Sequence, residues 1–119
     1  MRNEFEQMKK YMLDDQFCPV ARSLEVINTP WKILIVYKLI NGTLRFNQIK
    51  REIPNISEKM LSVSLKELEL QKIISRYETH DGPLKVEYKL SQIGNDLIPI
   101  ISAITEFGNE HYRPIEKIA

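Results

Sequence analysis

The chain is short of several things, and each scarcity narrows what it can be. Among 119 residues there is a single cysteine, Cys18, and only four glycines. One cysteine builds neither an internal disulfide framework nor a thiolate metal site. Apolar runs stay well below the roughly 18–20 residues that span a bilayer. The first ten residues alternate charged and apolar side chains, without the apolar core and small-residue cleavage site of a secretory signal. The expectation is a cytoplasmic protein with no membrane attachment. Net charge is also nearly absent: 17 Lys and Arg against 16 Asp and Glu leave +1. Bulk charge therefore gives no argument for nucleic-acid binding, which has to rest on a local basic face. The enzyme signatures are missing too. We find no Gly-rich phosphate loop, metal cluster or serine elbow, and nothing in the sequence brings Cys18 to His80 or His111 as nucleophile and base. No enzymatic activity, cofactor or metal is expected.

What remains is a soluble-looking composition, 43% hydrophobic and 28% charged, rich in Leu, Ile and Val. One domain with a modest core fits this length. Residues 1–17 read as an N-terminal arm or short helix, with Phe5, Met8 and Met12 at helical spacing, broken at Asp14-Asp15-Gln16. Pro19 suits the first position of a helix, with Val20, Leu24 and Ile27 on one face. Thr29-Pro30 restarts the chain as cap and first helical residue. Trp31 to Ile40 is apolar on almost every side, interrupted mainly by Lys32 and Lys38, and belongs in the centre of the fold. Asn41-Gly42 stops it.

A strand stub at residues 43–45 precedes a third short helix, whose inner face is Phe46, Ile49 and Ile53. Its outer face is Asn47, Gln48, Lys50 and Arg51. After the turn Pro54-Asn55-Ile56, Ser57 caps a fourth helix reaching about Gln71. Leu61, Leu65 and Leu68 form its buried stripe, and Lys59, Ser62, Lys66 and Glu69 its other side. The period then falls to 2. Strands at residues 73–80 and 85–90 around Asp81-Gly82-Pro83 form a hairpin. Ser91 caps the last helix, in which Pro99 is expected to cause a kink or a split. Ile93, Leu97, Ile100, Ile104, Phe107 and His111 make a heptad-like seam.

The fold class is thus mainly α with a small β-hairpin, in the order of a winged helix-turn-helix with helical extensions at both ends. A major groove about 12 Å wide admits one helix. The fourth helix has the required pair of faces, one stripe buried to hold it and one short, polar and basic to touch DNA. Its outward residues Lys59, Ser62 and Lys66 are read as DNA contacts, against the plainer reading of a solvated face. Ser57 is either a cap alone or a cap whose hydroxyl also reaches a phosphate. Val63 either packs at the helix edge or touches a thymine methyl. Asn47, Gln48 and Lys85 are read as further candidates for contact with the DNA backbone.

The strings Cys18-Pro19-Val20, Trp31-Lys32, Leu44-Arg45-Phe46-Asn47, Ile56 to Leu61, Leu65 to Glu69, Val86-Glu87-Tyr88 and Gly94, in this order, closely resemble the HxlR-type regulators, winged-helix relatives of the MarR group. The resemblance covers roughly residues 18–113, which we take as the domain, leaving 114–119 as a tail. Two places depart from the family pattern. Thr29-Pro30 replaces a small or Gly-rich pair, and the hairpin tip from His80 to Leu84 lacks a double proline. The resemblance implies a homodimeric, DNA-binding transcription regulator. It favours Arg45 as a phosphate clamp over a surface arginine paired with an acid. It also implies that the first and last helices form the dimer, so that paired helices meet an inverted-repeat operator. The apolar seam, whose plainer reading is intramolecular core, is read as that interface through Val20, Leu24, Leu97, Ile100, Ile101, Ile104 and Phe107. Cys18 stands where many members carry a cysteine that senses oxidants or electrophiles. Its place before a helix N-terminus, with Arg22 one turn on, favours a thiolate, while a lone cysteine is otherwise a small buried hydrophobe. A small effector would lie around Trp31 and Phe107, though no polar constellation there specifies one. A winged helix serving only protein interaction is the alternative that the near-zero net charge keeps open.

Overall fold

The structure is a computed structural model that describes residues 18–80 and 82–114. The expected N-terminal arm, Asp81 of the hairpin turn and all of the tail after Pro114 lie outside those residues. The elements are α1 (Pro19–Val26), α2 (Pro30–Leu39), β1 (Leu44–Arg45), α3 (Phe46–Glu52), α4 (Glu58–Leu70), β2 (Ile74–Thr79), β3 (Lys85–Leu90), α5 (Gln92–Asn95) and α6 (Ile98–His111). The sheet has the order β1-β3-β2, antiparallel throughout. This is the winged helix-turn-helix that the sequence implies.

Local chemistry sets the boundaries. Thr29, extended as a residue before proline must be, caps α2 by accepting from the Lys32 amide at 3.3 Å. Ser57 caps α4 by accepting from the Met60 amide at 3.0 Å. At the other end of α4, Ile73 N bonds Leu68 O at 2.9 Å and Lys72 N bonds Glu69 O at 3.0 Å. These are the paired bonds of a Schellman stop. Lys72 takes the left-handed position at φ 65°, where glycine would be less strained. The last helix is split rather than kinked. Pro99 falls in the first turn of α6, where its missing N–H costs nothing.

One core holds these elements together. Ile35, Val36 and Leu39 of α2 meet Ile49 and Ile53 at α3, the stripe Leu61, Leu65 and Leu68 of α4, Ile74 and Leu90 of the sheet, and Ile101 of α6. Ile101, expected at a dimer interface, is therefore a core residue, and Leu97 packs against the same cluster. With spacings of three and four, α6 has enough circumference to point Ile101 inward and Ile100 and Ile104 outward. The seam was also drawn too far back, since Ile93 sits apart on α5.

A compact joint ties the hairpin to α4. Ser91 Oγ lies 2.6 Å from Lys72 O and 3.0 Å from Ile73 O, and it accepts from Gly94 N at 2.9 Å. Gly94 packs its Cα on the Ile73 carbonyl, and a Cβ there would enter that oxygen's van der Waals envelope. Backbone cannot give way as a flexible side chain can. Gly94→Ala is expected to destabilise the protein by more than about 2 kcal/mol, read as a lowered urea midpoint with unchanged m-value.

Candidate nucleic-acid interface

The turn between α3 and α4 positions the site. Asn55 adopts φ 74°, a conformation Asn tolerates better than most residues, and this reverses the chain within three residues. Burial of the leucine stripe then turns Lys59, Ser62, Val63 and Lys66 outward, all four exposed.

Two open clefts flank this face. One lies between α3 and the wing and measures about 450 Å³. It is lined by Arg45, Phe46, Asn47, Gln48, Arg51, Leu84, Lys85 and Val86. Three of these residues are cations and none is an acid. The other, about 410 Å³, runs between α4 and the sheet, lined by Phe46, Ser62, Leu65, Lys66, Glu69, Arg76 and Tyr88. A net charge of +1 thus hides a cleft between α3 and the wing whose charged residues are all cations.

Several expected contacts also have internal partners. Arg45 stands opposite Glu87 in the β1–β3 register, with Nε 3.9 Å from Oε2 and both side chains well exposed. So long and wet a pair contributes little and leaves the guanidinium free to turn to a phosphate. Gln48 Oε1 accepts from the Arg45 amide at 2.8 Å, which fastens the start of α3 and leaves the Gln48 amide N–H groups as its outward donors. Ser57 spends an oxygen lone pair on its cap and keeps its hydroxyl proton.

Arg51 and Arg76 were not singled out from the sequence. Arg51 is one turn beyond Asn47 on the outer face of α3, and that i, i+4 spacing was the available signal. Arg76 shares a sheet face with Ile74, since side chains alternate. A cation on the inward register of a strand was therefore the sign that this face runs past the core to the recognition helix. Arg76 Nη1 bonds Glu78 Oε2 at 2.6 Å, and this bond holds the Glu78 carboxyl below the usual carboxylate range. His80 lies 3.7 Å from the other Glu78 oxygen and is exposed. Among the described residues no group of three or more His, Cys, Asp or Glu side chains stands close enough to hold a metal ion.

Cys18 is partly buried, extended, and directly precedes α1. Arg22 pairs with Glu25, one turn further along α1, at 3.3 Å. Neither Trp31 nor Phe107, the expected surroundings of a small effector, lines the cleft beside α6. The cleft beside α6, about 450 Å³, is lined by Tyr37, Lys38, Ile40, Asn41, Glu52, Ile101, Ser102, Thr105 and Glu106.

A helix of this polarity, between a basic cleft and a hairpin, is the arrangement of a DNA reader, and the comparisons with known proteins agree. The HxlR-like helix-turn-helix model matches residues 26–116. The chain belongs to the HxlR-like helix-turn-helix family. YybR, an HTH-type transcriptional regulator of Bacillus subtilis strain 168, is 39% identical over 99 residues, 83% of this chain and 79% of its own. The redox regulator HypR in its oxidized form superposes with a TM-score of 0.76 at 41% identity, covering 82% of this chain and all of HypR. Reduced YodB of B. subtilis gives 0.71 at 32%, covering 85% of this chain and all of YodB. The protein is accordingly a DNA-binding transcription regulator of the HxlR type, and its relatives are regulators rather than enzymes. No helix of the described residues is long and apolar enough to cross a membrane.

The clefts and the helix face should separate in their effects. Arg51→Ala is expected to weaken binding to every duplex alike and reduce the salt slope by about 0.9. Ser62→Ala should shift sequence preference by about 1–3 kcal/mol at one base position with the slope unchanged. Electrophoretic mobility shifts across a salt series distinguish the two.

Proposed function

We propose that two copies of the chain pair through α1 and α6, placing their α4 helices about one helical turn apart on an inverted-repeat operator, and that Cys18 makes this arrangement responsive to oxidants or electrophiles. The observation carrying the reading is the polar and basic face of α4 set between two cation-lined clefts. Phosphate contacts from Arg45, Asn47, Gln48, Lys59, Lys66 and Lys85 supply most of the affinity, with Ser57 donating its hydroxyl. Ser62 and Val63 discriminate between bases.

Pairing is supported by apolar side chains left open on the terminal helices. Val20 is 68% exposed and Phe107 56%, with Leu24, Ile100 and Ile104 also open to solvent. Isolated exposed hydrophobics are ordinary, but a row on one helix marks an association surface. Aromatics extend the row, with the Phe107 and His111 ring centroids 4.9 Å apart. Ile104→Glu is expected to convert a dimer into a folded monomer in sedimentation velocity at micromolar concentration. A parent protein that sediments as a monomer would remove the pairing.

For Cys18 the support is its place at the start of a helix in the proposed interface, together with two relatives. HypR is described as a redox regulator with reduced and oxidized forms, and YodB has reduced and diamide-treated forms. A thiol that changes volume or covalent state there alters the seating of α1, and with it the spacing of the pair. The operator is recovered by capturing fragmented genomic DNA on the purified protein. Diamide should then release the parent protein from it, while Cys18→Ser remains bound. Equal release of both proteins, or of neither, counts against the cysteine.

A further inference from the structure

Lys32 is the one charged side chain buried among the described residues, at 2% exposure, and the contacts described above leave its ammonium unexplained. It rises from the first turn of α2, and its Nζ lies 3.1 Å from Glu67 Oε1 and 3.4 Å from Gln71 Oε1. Gln71 passes the connection on, its Nε2 donating to Glu25 O near the end of α1 at 3.4 Å. Glu67 and Gln71 are four residues apart and so lie along one side of α4. One ammonium therefore grips the last turn of the recognition helix from α2, and the same glutamine ties that turn to α1.

We propose that Lys32 is a positioning residue for DNA recognition, fixing the rotation of α4 about its own axis. This rests on the reading of α4 as the helix that enters the groove. The leucine stripe cannot do this alone. Hydrophobic burial is non-directional, and three similar leucines tolerate small rotations. On a helix about 10–12 Å across, a 20° turn moves an outward side chain by about 2 Å, several times the roughly 0.5 Å that a recognition constellation allows. A charged hydrogen bond to a fixed lysine has direction as well as strength.

Burial of an ion pair is a poor source of stability and is often matched by apolar residues of similar size. Here the desolvation falls almost entirely on Lys32, because the Glu67 side chain is 51% exposed and retains water. The lysine is thus unfavourably placed for a purely structural role and well placed for an orienting one. At 2% exposure it is also beyond the reach of a phosphate.

The test compares Lys32→Met and Glu67→Ala with the parent on two duplexes of equal length, the captured operator and a scrambled sequence. Discrimination, the ratio of the two affinities, is expected to fall about tenfold in both variants. The melting temperature should stay unchanged or rise in Lys32→Met, and the salt slope should match the parent. Taking a ratio removes the general gain in DNA affinity that follows loss of an acid. Parental discrimination in either variant overturns the proposal; Lys32→Met removes the buried charge and leaves a solvated Glu67, so it decides the matter even if Glu67→Ala, which strands that charge, fails to fold. A salt slope lowered by about one unit in Lys32→Met would make Lys32 a phosphate ligand and overturn it equally. If the parent itself prefers no duplex, the reading of α4 has failed, a result distinct from either.

Discussion

Burial of Leu61, Leu65 and Leu68 is the constraint on which the remainder depends. A helix of 3.6 residues per turn cannot hide one stripe without presenting the opposite one, so packing these leucines on α2 and α3 also decides what reaches DNA. Ser57 opens the helix and the left-handed Lys72 closes it, so that the stripe has the length of its partners. The hairpin is then attached by a rigid joint. Ser91 clasps the carbonyls that follow α4, and Gly94 lies on one of them. The wing consequently has a fixed relation to the recognition helix, which allows Lys85 and Arg76 to share clefts with residues of α3 and α4.

Charge is organised on the same plan. Acids and bases almost balance over the whole chain, yet the cleft between α3 and the wing is lined by Arg45, Arg51 and Lys85 without a carboxylate. Two acids near the DNA-facing surface are paired with cations. Glu87 faces Arg45 at 3.9 Å, and Glu78 holds Arg76 at 2.6 Å. The first pair is long and contributes little to holding Arg45, and the second is tight and holds Arg76 in place. Such a surface attracts a polyanion locally while sparing the protein the indiscriminate binding of a strongly basic one.

Much of this was legible in the sequence wherever a single period governs. The α4 stripe, the inner residues Ile49 and Ile53 of α3, the alternation of β3 and the break at Pro99 all follow from spacing and from proline's missing donor. Legibility ended where one residue served two elements. Lys32 looked like an interruption in an apolar helix, because a helical pattern counts a lysine as outward. Only the approach of Glu67 and Gln71, more than thirty residues away, makes an inward lysine tolerable. Ile101 was assigned to a partner because the heptad pattern fits an intermolecular seam and an intramolecular core equally well. Gln48 escaped notice as a cap since Arg45, a donor-only side chain, replaces the Ser or Thr that makes the capping box recognisable.

The split at Pro99 bears on how α6 can serve two masters. A continuous helix from Ser91 would have had to follow the direction set by the joint at Gly94. With the break at Asp96 and Leu97, α6 starts afresh and needs only Ile101, assisted by Leu97 and Ile98, to hold it to the core. One inward isoleucine in a 14-residue helix leaves most of its circumference uncommitted, and that is where Ile100, Ile104 and Phe107 stand. The core of one chain is therefore complete without those side chains. The proposed pairing would cover them and so set the distance between two recognition helices, leaving the packing beneath each of them unchanged.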